Sequence, residues 1–154
     1  MQRALVGIML LLLAACDTGA LYHSSSEIEG NVWERTDARR FEVPVTDTVG
    51  SYDIYVEVRN AGSYPFSNIF LFIDTEMPSG LVRRDTVECL LADPTGQWMG
   101  EGLGDIWDNS ILYRPATRFP KQGTYTFTIG HGMRNEKLPM IMDVGLAIRP
   151  ATEH

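Results

Sequence analysis

The sequence predicts an all-β domain, an antiparallel β-sandwich of seven to eight strands wound as a jelly roll or like an immunoglobulin domain. Three observations carry that expectation. Short stretches alternate apolar and polar residues, most clearly Tyr52-Asp53-Ile54-Tyr55-Val56-Glu57-Val58-Arg59. Turn signals such as Asn60-Ala61-Gly62-Ser63 separate the stretches. No long segment joins a helical apolar period to helix caps. The 154 residues, 44% hydrophobic and 21% charged, suffice for one domain with its own core and are too apolar for a disordered chain.

The chain opens with a different signal. Met1-Gln2-Arg3 carries one positive charge, and Ala4 to Ala15 is uncharged and rich in leucine. That run suits the apolar region of a signal peptide but falls short of the ~20 residues that cross a bilayer as a helix. It ends in Leu13-Ala14-Ala15-Cys16, which resembles the lipobox of a bacterial lipoprotein. Small side chains at Ala14 and Ala15 admit a peptidase, and the Cys16 thiol accepts a diacylglycerol group, leaving Cys16 as the acylated first residue. The competing reading is an ordinary secretory signal beside an incidental cysteine. Two or more acyl chains hold a protein on a membrane where one does not, at about 0.8 kcal/mol per buried methylene. The expected division is a signal peptide over 1–15, a lipid-anchored tether over 16–30 and the sandwich over 31–154. Asp17-Thr18-Gly19-Ala20-Leu21 contains no acidic run, which favours a periplasm-facing protein of the cell envelope and leaves inner or outer membrane open.

Strands are expected in order. Phe41, Val43 and Val45 share a face, and Pro44 marks an edge strand because it has no N–H for a second neighbour. Tyr52, Ile54, Val56 and Val58 face inward, with Asp53, Tyr55, Glu57 and Arg59 opposite. Ile69-Phe70-Leu71-Phe72-Ile73 is apolar on both faces, fitting a strand covered on both sides or one with a sticky outer face. Further strands are expected over 80–92, 110–114, 123–129 and 138–148, the third with Tyr125, Phe127 and Ile129 inward.

Composition limits the chemistry. Thirteen Lys+Arg against twenty Asp+Glu give a formal charge of −7, which argues against a general nucleic-acid binder, since that needs a basic face. With Cys16 consumed by lipid, Cys89 has no intrachain partner and reads as a buried structural thiol, a reactive thiol being the alternative. His23, His131 and His154 are far apart, and His131, between Gly130 and Gly132, is expected as a solvated or hydrogen-bonded loop residue. No catalytic residue, metal site, cofactor or small-molecule substrate is identified. The pairs Arg39-Arg40 and Arg83-Arg84 fall short of the basic clusters that hold membranes electrostatically.

The segment Asp93 to Asn109 is the candidate ligand or partner surface. Trp98 and Trp107, with Tyr55, offer aromatic faces for a partner or a sugar ring. Asp93, Glu101, Asp105 and Asp108 offer oxygens to calcium, without the spacing of an EF-hand. The alternative is a long connection whose tryptophans plug the end of the sandwich. Gly100-Glu101-Gly102-Leu103-Gly104 lacks the βαβ setting of a dinucleotide loop.

Taken in order, the lipobox Cys16 with Asp17, Val32-Trp33, the strands at Tyr52 to Asn60 and Asn68 to Ile73, Asp93-Pro94-Thr95-Gly96-Gln97-Trp98, Gly100 to Ile106, Gly123-Thr124-Tyr125 and Val144 to Ile148 resemble the GldH family of gliding motility lipoproteins of the Bacteroidetes group. The resemblance spans nearly the whole chain. It implies a non-enzymatic accessory of gliding motility and the associated secretion machinery, touching other envelope proteins and held to the membrane by lipid on Cys16. It brings no catalytic residues. The competing expectation is a carbohydrate-binding lipoprotein of a polysaccharide-handling system, using Tyr55, Trp98 and Trp107.

Overall fold

A computed structural model describes residues 20–152; the expected signal segment and Cys16 lie outside the described residues. The strands are β1 (Tyr22–Glu27), β2 (Val32–Glu34), β3 (Arg39–Val45), β4 (Tyr52–Ala61), β5 (Asn68–Glu76), β6 (Val82–Leu90), β7 (Glu101–Leu103), β8 (Ile106–Thr117), β9 (Gly123–His131), β10 (Lys137–Pro139) and β11 (Ile141–Pro150). A 3-10 turn covers Glu29–Asn31. One sheet has the order β1-β11-β4-β8-β7, the other β3-β9-β5-β6, and β2 pairs with β10 in a small ribbon. All these pairings are antiparallel. The long strands β1, β3, β4, β5, β6, β8, β9 and β11 are distributed between the sheets as in a jelly roll, which settles the choice between the two expected windings. Among the described residues no helix is long and apolar enough to cross a membrane.

Alternation builds the core. Ile54, Val56 and Val58 of β4 and Val144, Leu146 and Ile148 of β11 meet Leu71 and Ile73 of β5 and Phe127 and Ile129 of β9, all buried. Each such side chain contributes about 1.5–3 kcal/mol relative to exposure. Trp33 is fully buried, with its indole N–H donating to the Asp37 carbonyl at 2.7 Å. His131 is buried against it, ring centroids 5.4 Å apart, its Nε2 3.1 Å from the Trp33 carbonyl oxygen. The histidine expected on a loop therefore ends a strand, in its hydrogen-bonded form.

Pro44 lies in β3, an edge strand as its missing N–H requires. β5 resolves in favour of the sticky outer face: Ile69, Leu71 and Ile73 point inward, while Phe72 lies outside and partly exposed. Its ring rests on Gly132, where an added Cβ would come within 3.0 Å. Asp53, placed with the outward residues by parity, is buried instead, because a register shift follows Tyr52 and its carboxylate accepts from the Ala116 N–H at 2.9 Å.

The segment read as a tether differs from expectation from Tyr22 onward. Tyr22–Glu27 pairs with β11, and Ile28 enters the core. Its serines supply no apolar period, so the strand is held by its backbone ladder with β11 and, at its start, by Tyr22 packing against the core.

Register fixes which loops share an end. Tyr22, Ile148, Ile54 and Arg114 lie side by side in the five-stranded sheet. Loops 46–51, 77–81 and 118–122 gather at that end, with Gln122 donating to the Thr46 carbonyl at 2.7 Å and Gly123 against Pro78. Loops 62–67, 91–100 and 132–136 and the β7–β8 hairpin tip occupy the opposite, distal end. One open side is bridged by the Tyr113 hydroxyl and Arg114 guanidinium of β8, both bonded to Asp85 of β6. Along the other side Arg39 of β3 reaches Ser26 of β1 at 3.5 Å.

Candidate functional site

The outer face of the five-stranded sheet carries an open depression of about 550 Å³. Register builds it. Glu27, Asp143, Arg59, Asp108 and Glu101 stand in one row across the five strands, four carboxylates with one guanidinium at the centre. Arg59 donates to Asp108 at 2.6 Å and to Asp143 at 3.2 Å. The Asp108 hydrogen bond raises the Arg59 guanidinium above its usual range; burial opposes it, and the charges of Asp108 and Asp143 add to the rise. The next row, Ser25, Gly145, Glu57 and Ser110, has small side chains on either side of one acid, which makes the hollow. Glu57 is held by His23 at 2.8 Å and by Arg149 at 2.8 Å. Arg149 also lies over the Tyr55 ring, 4.9 Å from its centroid.

These pairs are partly solvated, and exposed ion pairs contribute only about 0–1 kcal/mol each. Their value lies in arrangement: they fix a mainly acidic, hydrogen-bonding floor suited to cationic or polar groups of a neighbour.

The structure distributes the three aromatic candidates. Tyr55 belongs to this outer face, under Arg149. Trp98 turns toward the distal edge of the core, its ring 6.4 Å from that of buried Tyr64, and its backbone bridges Ala92. Trp107 lies across Gly102 on the neighbouring strand, so closely that an added Cβ would meet the ring at 2.5 Å. Each ring thus has its own bed.

The acids of the same segment also separate by task. Asp93 folds its own turn, Oδ1 accepting from the Thr95 N–H at 2.8 Å, the Thr95 hydroxyl at 2.6 Å and the Gln97 N–H at 3.0 Å. Those donors, the Thr95 hydroxyl foremost, hold its carboxyl below the usual range. Asp108 pairs with Arg59, while the Asp105 carbonyl receives the Gly62 N–H at 2.8 Å. The basic pairs are divided by strand alternation: Arg84 binds Asp74 at 2.6 Å, Arg40 lies 3.1 Å from Glu42, and Arg39 turns to Asp37 at 2.5 Å.

Sequence reading missed His23, Asp143 and Arg149 as members of this face. The outward parity of Glu57 and Arg59 was visible in β4. Their partners come from β1, β8 and β11, and only the register brings those strands beside it.

Comparison with known proteins gives consistent findings. The family model described as GldH lipoprotein matches residues 20–148. The chain is 34% identical over 152 residues to a protein of Flavobacterium johnsoniae named gliding motility lipoprotein GldH, covering 92% of this chain and 94% of that one. It is 30% identical over 146 residues to the gliding motility lipoprotein GldH homolog of Christiangramia forsetii, covering 90% of this chain and 89% of the relative.

Proposed function

Since this chain belongs to the GldH lipoprotein family, we propose that it is a lipid-anchored protein of the cell envelope that serves gliding motility and the associated secretion machinery as a non-enzymatic accessory. The observation that carries this reading is the match to relatives named for gliding motility over about nine-tenths of either chain. Acylated Cys16 fixes the protein to a membrane, facing the periplasm, and the sandwich meets neighbouring envelope proteins by contact. Confinement to one leaflet raises the effective concentration of those neighbours without new contacts.

The acidic face around Glu57 and Arg59 supports a contact role. Its titratable groups hold one another: His23 and Arg149 on Glu57, Asp108 and Asp143 on Arg59. A neighbour with basic or hydrogen-bonding groups fits such a floor.

Deletion from the source bacterium tests the reading. Loss of colony spreading or of protein export, restored by the parent chain and not by Cys16→Ala, is expected. A deletion strain that glides and exports like its parent overturns it.

A further inference from the structure

We infer that the end of the sandwich where β1 begins is a bilayer-apposed surface, seated on phospholipid headgroups by Val49, Leu81 and Val82 and flanked by Arg118 and Lys121. The inference rests on the lipid anchor at Cys16 proposed above, and it adds an orientation and a second contact that the anchor alone does not require.

Three observations carry it. First, β1 starts at Tyr22. The six residue steps from Cys16 to Tyr22 reach at most about 21 Å even when fully extended. The acyl chains therefore cannot lie far from the end of the domain that holds Tyr22.

Second, that end presents apolar residues to solvent, as the distal end does with Leu90, Met99 and Leu103, so the anchor decides which of the two meets the bilayer. Val49 is 82% exposed in loop 46–51, while Leu81 at 58% and Val82 at 54% stand at the turn between β5 and β6. Single exposed apolar residues are ordinary on any protein. Here the register places loops from both sheets together, so their exposed residues share one end. The loops are also well built. Met77 and Leu81 close their turn by a 2.8 Å hydrogen bond, and Asp47 receives the Val49 N–H at 2.8 Å and the Tyr52 hydroxyl at 2.7 Å. Behind them Phe119 packs on Tyr125 with ring centroids 4.9 Å apart. These residues are presented on a firm base.

Third, two cations stand on this end. The chain as a whole is acidic, with a formal charge of −7. Arg118 and Lys121 lie exposed on loop 118–122, and no ion pair is recorded for either among the described residues. The carboxylates Glu27, Asp143, Asp108 and Glu101 stand in a row toward the distal end. An anionic headgroup layer attracts Arg118 and Lys121 and repels that row, although Asp47 and Glu76 share the tethered end and Arg134 and Lys137 the distal one. Apolar tips with two cations beside them, on the end that the anchor holds down, suit a phospholipid surface.

Spin labels on the full-length, acylated protein test this. The parent and the single variants Val49→Cys, Leu81→Cys and Leu103→Cys are reconstituted into vesicles of phosphatidylethanolamine and phosphatidylglycerol and labelled with a nitroxide. Cys89 is fully buried and leaves little background. Leu103, 88% exposed at the distal hairpin, is the reference. Power saturation then compares collision with oxygen, which enters the bilayer, and with a nickel chelate, which stays in water. The expected result is a severalfold higher oxygen-to-nickel ratio at positions 49 and 81 than at 103. A floating protein whose three labels are equally aqueous, or whose label at 103 alone is shielded, overturns the orientation and leaves the anchor standing. A parent protein that does not float with the vesicles, or floats no better than Cys16→Ala, overturns the anchor and the orientation with it.

Discussion

Tyr113 on β8 donates its phenolic hydrogen to Asp85 on β6, so one hydrogen bond ties the five-stranded sheet to the four-stranded sheet across an open side. Arg114 reaches the same carboxylate and lies 5.0 Å over the Tyr113 ring. The Tyr113 hydrogen bond foremost, then Arg114, holds the Asp85 carboxyl below its ordinary 3.8 against a desolvation that raises it. Burial and the same bond push the Tyr113 hydroxyl up to about 12.

Removing that tie lowers stability. Tyr113→Phe is expected to cost about 1–2 kcal/mol at neutral pH, the range of a hydrogen bond to a charged group reduced by partial exposure. A carboxyl depressed in the fold contributes fully above its unfolded value near 3.8, and the contribution is lost as pH falls through the lower folded value. Urea midpoints of parent and Tyr113→Phe should therefore differ clearly at pH 7 and converge in strong acid.

His131 gives the opposite neighbourhood and a second pH dependence. Burial, aided by the nearby Arg35 charge, lowers its pKa from 6.5, against the hydrogen bond that Nε2 makes to the Trp33 carbonyl, which raises it. The fold then prefers the neutral ring. Its contribution is complete above pH 6.5 and falls away as pH drops toward the folded value, because only the unfolded chain takes up the proton in that interval. The melting temperature should fall between pH 7.5 and 5.5, and His131→Asn should flatten that slope.

Cys89 should behave as an inert thiol. Burial, with a smaller push from Glu88, raises it to about 11, so thiolate is scarce at neutral pH and access is closed. A disulfide reagent at pH 8 should leave the folded protein unmodified and react once urea unfolds it. Fast labelling of the native protein would refute this.

Gly102 is the floor on which Trp107 lies. An added Cβ would stand 2.5 Å from the ring, so Gly102→Ala must lift the indole off β7. A cost of about 1–3 kcal/mol is expected from such overpacking, with a shift in tryptophan emission. Unchanged emission and stability would contradict this placement.

Much of the fold was legible because its strands carry a period of two. β4 and β9 alternate cleanly, and Pro44 announced an edge. β5 was ambiguous, since five successive apolar residues say nothing about which face is covered; the fold lays Phe72 outside, over Gly132. β1 was invisible because Ser24, Ser25 and Ser26 look like a linker, and its pairing is written in the backbone of β11. β8 was underestimated for a similar reason. Asn109 points inward and is buried, its side-chain N–H donating to Asn60 at 2.9 Å and to the Val58 carbonyl at 3.0 Å, a polar satisfaction that no apolar pattern reveals. The acidic face was half visible as the parity of Glu57 and Arg59. Its other half depends on which strands lie alongside.

The direction of β1 has a mechanical meaning. A tug on the N-terminus, opposed by a neighbour gripping the far tip, runs lengthwise along β1 while β11 resists in the reverse sense. The rungs from Tyr22–Ile148 to Glu27–Asp143 are then strained together in shear, instead of parting one after another like a zip. A strand half made of serine can in this way transmit tension into the middle of the sheet.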